Sequence, residues 1–288
     1  MPVLTDALGL EATGEPREIT ARQTLAYAAG LDETDPRYFD DARADGIVAP
    51  PPYCVSLEWP LAVALRDASA LGLTAAERLA NVHASQETVF HRPIRPGDRL
   101  RTDARIVELD AIRPGTKAVT KFITVDCDSG APVVTSWSTG IYRGVALDGP
   151  GGQLEHGKER PSASDADRTT TNIYIPPTLP HTYTECADIW NPIHTERAVA
   201  LASGLPDIIL HGTATWALAS REIVRAHADG NGTRLRALGG RFSGMVLPDT
   251  TITLHMSRAK TADGLVHFDV RNPDGRPVLS AGVAEITA

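Results

Sequence analysis

The strongest constraint on this chain is that it carries one pattern twice. Residues 90–100 (FHRPIRPGDRL) lie over 242–252 (FSGMVLPDTTI) with aromatic, proline and apolar positions in step, and both read as strand, tight turn, strand. Further on, 125–133 lie over 270–278, each a strand that enters a Gly-containing turn and leaves as another strand. Chance could give either match alone. Two matches, in the same order and on either side of a polar segment, point to duplication of one α+β unit. That segment, 146–171, is rich in Gly, Pro, Ser and Asp and has no helical or alternating apolar pattern, so it reads as a linker. The expected division is 1–147, a linker at 148–171, and 172–288.

Each half opens with one helix candidate and continues in strands. In the second half, 212–226 place Thr215, Leu218, Ala219, Glu222 and Ile223 at helical spacing among small residues, the pattern of a buried helix. In the first half, 53–70 fill the same slot, although Pro60 would bend that helix or begin a new one. Strands are expected at 82–90, 100–108, 117–126 and 133–142, then at 234–242, 250–258, 264–271 and 278–286. This order predicts a long antiparallel sheet wrapped round one central helix in each half.

Composition narrows the class of function. A length of 288 residues with 42% hydrophobic side chains can fill such cores. Against 28 basic residues stand 36 acidic ones, and the net charge of -8 argues against nucleic acid or an anionic membrane surface as the main partner. Cys54, Cys127 and Cys186 are odd in number and far apart, which suits neither a disulfide framework nor a metal knuckle and points to a reducing compartment. Neither a secretory signal nor a long apolar run is evident, so a soluble cytoplasmic protein is the expectation.

The chemistry concentrates in two short segments. Asn191-Pro192-Ile193-His194 cannot sit inside a regular helix or central strand, so His194 is held on a turn that a helix over 196–203 can anchor. Next, Ile209-Leu210-His211-Gly212-Thr213 leads into the second-half helix, where free backbone N–H groups around Gly212 and Thr213 would face outward and could hold a developing oxyanion. A lone histidine is more often structural than catalytic; the conjunction of a turn-borne histidine with a glycine-led helix start favours chemistry. His83, His91, His255 and His267 lack metal-ligand spacing and read as structural or solvent-facing.

These segments resemble a known family. Arg22-Gln23-Thr24-Leu25-Ala26-Tyr27-Ala28-Ala29-Gly30-Leu31 is similar to its opening helix, residues 90–100 to its strand-turn-strand, and residues 189–194 and 209–213 to its two hydratase signatures. The family is the MaoC-like, (R)-specific enoyl-CoA hydratase group, and the whole length resembles its double hot-dog form. The resemblance implies an α+β fold with two antiparallel sheets, each wrapped round a central helix, packed as a pseudo-dimer. It implies addition of water to a 2-enoyl thioester or its elimination from a 3-hydroxyacyl thioester, with coenzyme A or an acyl carrier as part of the substrate and no metal or redox cofactor. By the same carry-over His194 is the catalytic histidine, Asn191 orders its loop and Gly212 supplies the oxyanion contact, while His211, Thr213, Ile189, Trp190 and Tyr53 line the substrate. A homodimer of such chains is compatible with the fold.

One position departs from the family pattern Asp-x-Asn-Pro-(Leu/Ile)-His. Ile189 stands where the Asp belongs, and Asp188 lies one residue early, which in extended chain would turn it away unless a bulge or turn compensates. Three readings stay open. Asp188 could be presented to the site as the acidic catalytic partner, His194 could act alone as a cyclase or addition catalyst would use it, or the chain could bind acyl thioesters without turnover. The first half has no Asn-Pro-x-His, and its Ala49-Pro50-Pro51-Pro52-Tyr53 offers few backbone donors. It reads as a non-catalytic half, and the resemblance implies that such a degenerate half opens space for bulky acyl chains beside Tyr53, Val55 and Trp59.

Overall fold

Every strand expected from alternation forms. A computed structural model describes residues 1–79, 81–155, 167–259 and 261–287. In chain order these give β1 (Glu11–Thr13), β2 (Arg17–Glu18), α1 (Ala21–Gly30), α2 (Pro36–Phe39), α3 (Cys54–Asp67), α4 (Ala75–Leu79), β3 (Asn81–Phe90), β4 (Arg99–Ile112), β5 (Gly115–Asp126), β6 (Pro132–Arg143) and β7 (Gly152–Gln153). There follow β8 (Arg168–Ile175), α5 (Leu179–Ala187), α6 (Arg197–Ala202), α7 (Gly212–His227), β9 (Leu235–Phe242), β10 (Thr250–Ser257), β11 (Leu265–Arg271) and β12 (Pro277–Ile286). Among the described residues, no helix is long and apolar enough to cross a membrane.

By contact the chain divides into two units, Met1–Arg17 with Leu57–His91 and 99–155, and Glu18–Ser56 with Arg92–Asp98 and 167–287. In the first, the antiparallel order is β1-β4-β5-β6-β3. Leu61 and Leu65, one turn apart on α3, pack on Ala104, Ile106 and Leu109 of β4 and on Ala118 and Phe122 of β5. A register shift between Ile106 and Glu108 moves the inward face from even to odd positions, so the long strand keeps apolar side chains on the helix. Pro60 lies inside α3 without ending it or starting another helix; its ring is exposed, where only a solvent-side backbone bond is lost.

The second unit repeats the arrangement with the order β9-β12-β11-β10-β8. Its helix α7 lies on β9 and β12, and the run from Ala214 to Ser220 is buried all round. Small side chains over most of that run let the sheet close in, and Trp216, fully buried, fills what remains. The strand β8 and the helix α5 are among the elements that the sequence pattern does not show. The strand β8 starts inside the segment read as linker, because the β-branched run Thr169-Thr170-Thr171 pairs with β10 through an eight-residue ladder. Residues 152–153 of that segment form β7 on β4, and 156–166 lie outside the described residues. The helix α5 is rich in Thr and opens at Leu179-Pro180, a poor helical sequence on propensity alone, and it forms by packing against α1.

The second unit also recruits chain that precedes the expected boundary at 147. Ile19 N–H donates to Asp98 and Gly97 N–H to Ile19, and Ala49 N–H donates to Ile94, so 92–98 stay with 18–56. Arg221 of α7 donates to the Leu31 carbonyl just past α1, supplying one of the acceptor-end partners that a helix lacks. The α1 and α5 helices meet closely at Gly30, where a Cβ would stand 2.6 Å from the Cys186 Cβ. Gly30→Ala should therefore force the helices apart and cost about 1–3 kcal/mol, read as a lower urea midpoint with unchanged slope; an unaltered midpoint would show that this contact has slack.

Candidate active site

Local backbone chemistry builds the turn first. Asn191 is extended, at φ -146 and ψ 121, and its Oδ1 accepts the Ile193 N–H at 3.5 Å. Pro192, with its φ preset, opens one 3-10 turn to His194, closed by His194 N–H on the Asn191 carbonyl at 3.0 Å and Glu196 N–H on that of Pro192 at 2.8 Å. The segment before α7 then runs alongside. Ile209 N–H donates to Ile193 at 3.5 Å and Leu210 N–H to Val246 at 2.8 Å, so the two sequence signatures are tied through main chain.

Side chains complete the junction. His194 Nδ1 lies 2.8 Å from the Ile209 carbonyl oxygen. A carbonyl only accepts, so Nδ1 carries the proton and Nε2 keeps its lone pair, with no hydrogen-bond partner among the described residues. The His211 ring stacks on His194 with centroids 3.6 Å apart and planes 26° apart. The Thr184 hydroxyl donates to Pro180 at 2.9 Å, and so it accepts from His211 Nε2–H at 3.2 Å, which also reaches the Ile189 carbonyl at 3.3 Å. From His211 the rings continue through Tyr183 at 5.1 Å and Tyr27 at 5.9 Å to Tyr53 at 5.5 Å. Four rings from α1, α5 and the segments flanking the helices thus stand behind His194.

The mouth of α7 stands beside this stack. His211 is its N-cap residue without a side-chain cap, and the first bond of the helix is Thr215 N–H to the His211 carbonyl at 3.1 Å. The N–H groups of Gly212, Thr213 and Ala214 donate to no carbonyl among the described residues. A Cβ at Gly212 would come within 3.0 Å of the Phe242 ring, so glycine is what lets β9 pack against this turn. Among the described residues, no three His, Cys, Asp or Glu side chains converge in a metal-holding group.

Two family profiles match the chain, one described as MaoC like domain over residues 158–272 and one as FAS1-like, dehydratase domain region over 6–136. An enoyl-CoA hydratase of Mycobacterium tuberculosis is 32% identical over 52% of this chain, and the match spans 58% of that enzyme. A 3-hydroxyacyl-thioester dehydratase of the same organism is 28% identical over 98% of this chain and 99% of its own length. The crystal structure of a MaoC-like dehydratase from Phytophthora capsici superposes with a TM-score of 0.85 at 22% identity, covering 98% of this chain and 97% of that one. The chain belongs to the MaoC-like dehydratase family. Its fold is the double hot-dog that the family resemblance implies.

Against that family, the acidic position of this MaoC-like protein stands out. Asp188 ends α5 in the left-handed region, at φ 55 and ψ 41, and its side chain is exposed. Ile189 is buried, and its carbonyl goes to His211. No hydrogen bond or ion pair joins Asp188 to His194 among the described residues, and no carboxylate is among the causes that set the His194 pKa. The compensating turn exists, yet it delivers the carboxylate to solvent. Trp190, 59% exposed, also faces water, whereas Tyr53 is buried against Tyr27 and Thr213 sits half-buried in the first turn of α7. Tyr27, Tyr183, Thr184 and the Ile209 carbonyl carry no sign of a role in the sequence, since each acts only through its neighbours in the fold.

Burial pulls the His194 pKa down to about 4, partly opposed by its bond to Ile209. His211 is held well below 6.5 by burial and by the neighbouring His194 charge. Both imidazoles are neutral at pH 7. Because the folded His194 binds its proton less tightly than the unfolded chain, its contribution to stability is complete above about 6.5 and is lost as pH falls towards 4. NMR titration of the His194 ring should thus show no protonation between pH 8 and about 5; a midpoint near 6.5 would contradict the buried, neutral assignment.

Proposed function

We propose that this MaoC-like protein hydrates 2-enoyl thioesters and dehydrates 3-hydroxyacyl thioesters, with His194 moving the protons unaided by a carboxylate. One observation carries the reading: a neutral imidazole with an uncommitted Nε2 lies beside three uncommitted N–H groups at the start of α7. The names borne by the relatives, enoyl-CoA hydratase and 3-hydroxyacyl-thioester dehydratase, support the same chemistry. The three free cysteines suit a reducing compartment, in keeping with a cytoplasmic enzyme.

In the hydration direction, a water oxygen bonds to C3 as His194 Nε2 takes one of its protons. The C2–C3 π pair shifts to form an enolate, whose negative oxygen receives hydrogen bonds from the N–H groups around Gly212. His194 then returns the proton to C2, the carbonyl re-forms, and one water has been added in all. The Ile209 carbonyl stabilises the transient imidazolium through Nδ1–H, and Asn191 keeps the turn from swinging the ring away. An imidazole whose pKa lies near 4 is a modest base, but its protonated form is a strong acid, suited to giving the proton to C2. An oxyanion donor contributes about 10²–10³ in rate, and a placed acid or base about 10²–10⁴.

The missing carboxylate favours one second reading, a subunit that binds acyl thioesters without turning them over. Kinetics on 2-enoyl-CoA esters of increasing chain length separates the two. We expect turnover, a loss of about 10²–10⁴ in kcat/KM for His194→Ala, and an acid limb in kcat/KM near pH 4 rather than 6.5. Binding of every ester with turnover of none would support the second reading, and full activity in His194→Ala would remove His194 from the chemistry.

A further inference from the structure

The chain of rings behind His194 also carries hydroxyls, and these run in one direction. Tyr183, fully buried on α5, donates its O–H to Thr213 Oγ1 at 3.3 Å. Since that proton is committed, the contact of 3.3 Å between the Tyr27 and Tyr183 hydroxyls has Tyr27 as donor. Burial raises the Tyr183 pKa to about 12, so the phenol stays protonated and keeps donating. Thr213 has accepted from Tyr183, and its own O–H has no acceptor among the described residues. Thr213 is the residue after Gly212, in the same uncapped first turn of α7, and is half-buried rather than sealed.

We infer that the Thr213 hydroxyl is a side-chain oxyanion donor to the thioester oxygen, beside the Gly212 N–H, and that Tyr183 and Tyr27 are the positioning residues that turn it there. This rests on the hydratase reading and adds a specific atom to it. A threonine hydroxyl alone rotates freely, and in the first turn of a helix it has nearby backbone groups to bond instead. Accepting from Tyr183 fixes the lone-pair side of Thr213 Oγ1 and leaves the proton pointing away from the phenol. The relay is also cooperative, because each donated hydrogen bond makes the next hydroxyl a better donor. At 3.3 Å both links are long, as donor contacts often are before substrate charge draws them tight. No proton needs to leave any of the three residues: negative charge on the thioester oxygen is met by a hydrogen bond already oriented. The arrangement also accounts for α1 being packed against α5, since that packing brings the first donor of the relay to the site.

The test is a double-mutant cycle on Thr213 and Tyr183 with enoyl-CoA turnover as readout, each variant checked for an unchanged melting temperature. Thr213→Val should lower kcat by about 10²–10³, with KM changed little, as for loss of one oxyanion donor. Thr213→Ser, which restores the hydroxyl, should recover most of that loss. Tyr183→Phe keeps the ring and its packing, and should lower kcat in the wild-type background but not in Thr213→Val, because its effect passes through that hydroxyl. Wild-type kcat in Thr213→Val, or an equal loss from Tyr183→Phe in both backgrounds, would overturn the inference while His194→Ala still abolished turnover and left the hydratase reading intact. A wild-type chain that turned over no enoyl thioester would overturn both.

Discussion

The bond from His194 Nδ1–H to the Ile209 carbonyl, at 2.8 Å, is the constraint on which the site depends. It fixes one tautomer, so the lone pair of Nε2 is offered outward, and it joins the Asn-Pro turn to the segment that becomes α7. A free imidazole would sample both tautomers and several rotamers, and would spend part of its time with a proton where a base is needed. Here that freedom is removed twice, by the carbonyl on one ring atom and by the His211 ring against the face. Burial then keeps the ring neutral, because an imidazolium in this surround loses more hydration than one carbonyl returns.

The surroundings of that bond are assembled from distant sequence. Tyr27 and Tyr53 come from the early part of the chain, Tyr183 and Thr184 from α5, and His211 from the N-cap of α7. Their rings form a solid support, which matters because the catalytic turn is only a few residues long and has little rigidity of its own. Glycine recurs at two close approaches near the site: Gly30 lets α1 reach α5, and Gly212 lets the Phe242 ring cover the foot of α7.

Much of this was legible in the residues, for identifiable reasons. Alternation marks the strands because each has one face on a helix, and even the shift at Ile106 leaves enough of the pattern in β4 to be read. Asn191-Pro192 dictates a turn through covalent geometry, and the small residues of 212–226 announce a buried helix. By contrast, the α5 helix owes its existence to packing on α1, so its threonines and proline conceal it. The triple threonine at 169–171 looks polar in sequence and becomes strand only when β10 is beside it. The displacement of Asp188 is visible in the sequence, but the direction it takes is decided by a left-handed residue at the end of that same hidden helix. The Tyr27–Tyr183–Thr213 relay shows no signal at all in one dimension, since its members are joined only by the fold.

A proton-moving histidine that lacks a carboxylate partner must meet the substrate directly, and a crystal structure with a 3-hydroxyacyl-CoA bound tests this most simply. The account requires His194 Nε2 within about 3–3.5 Å of the C2 proton position or the C3 hydroxyl, with the thioester oxygen about 2.7–3.1 Å from the Gly212 nitrogen. A thioester bound with its oxygen turned away from α7, or with the Asp188 carboxylate swung in between His194 and the substrate, would contradict it.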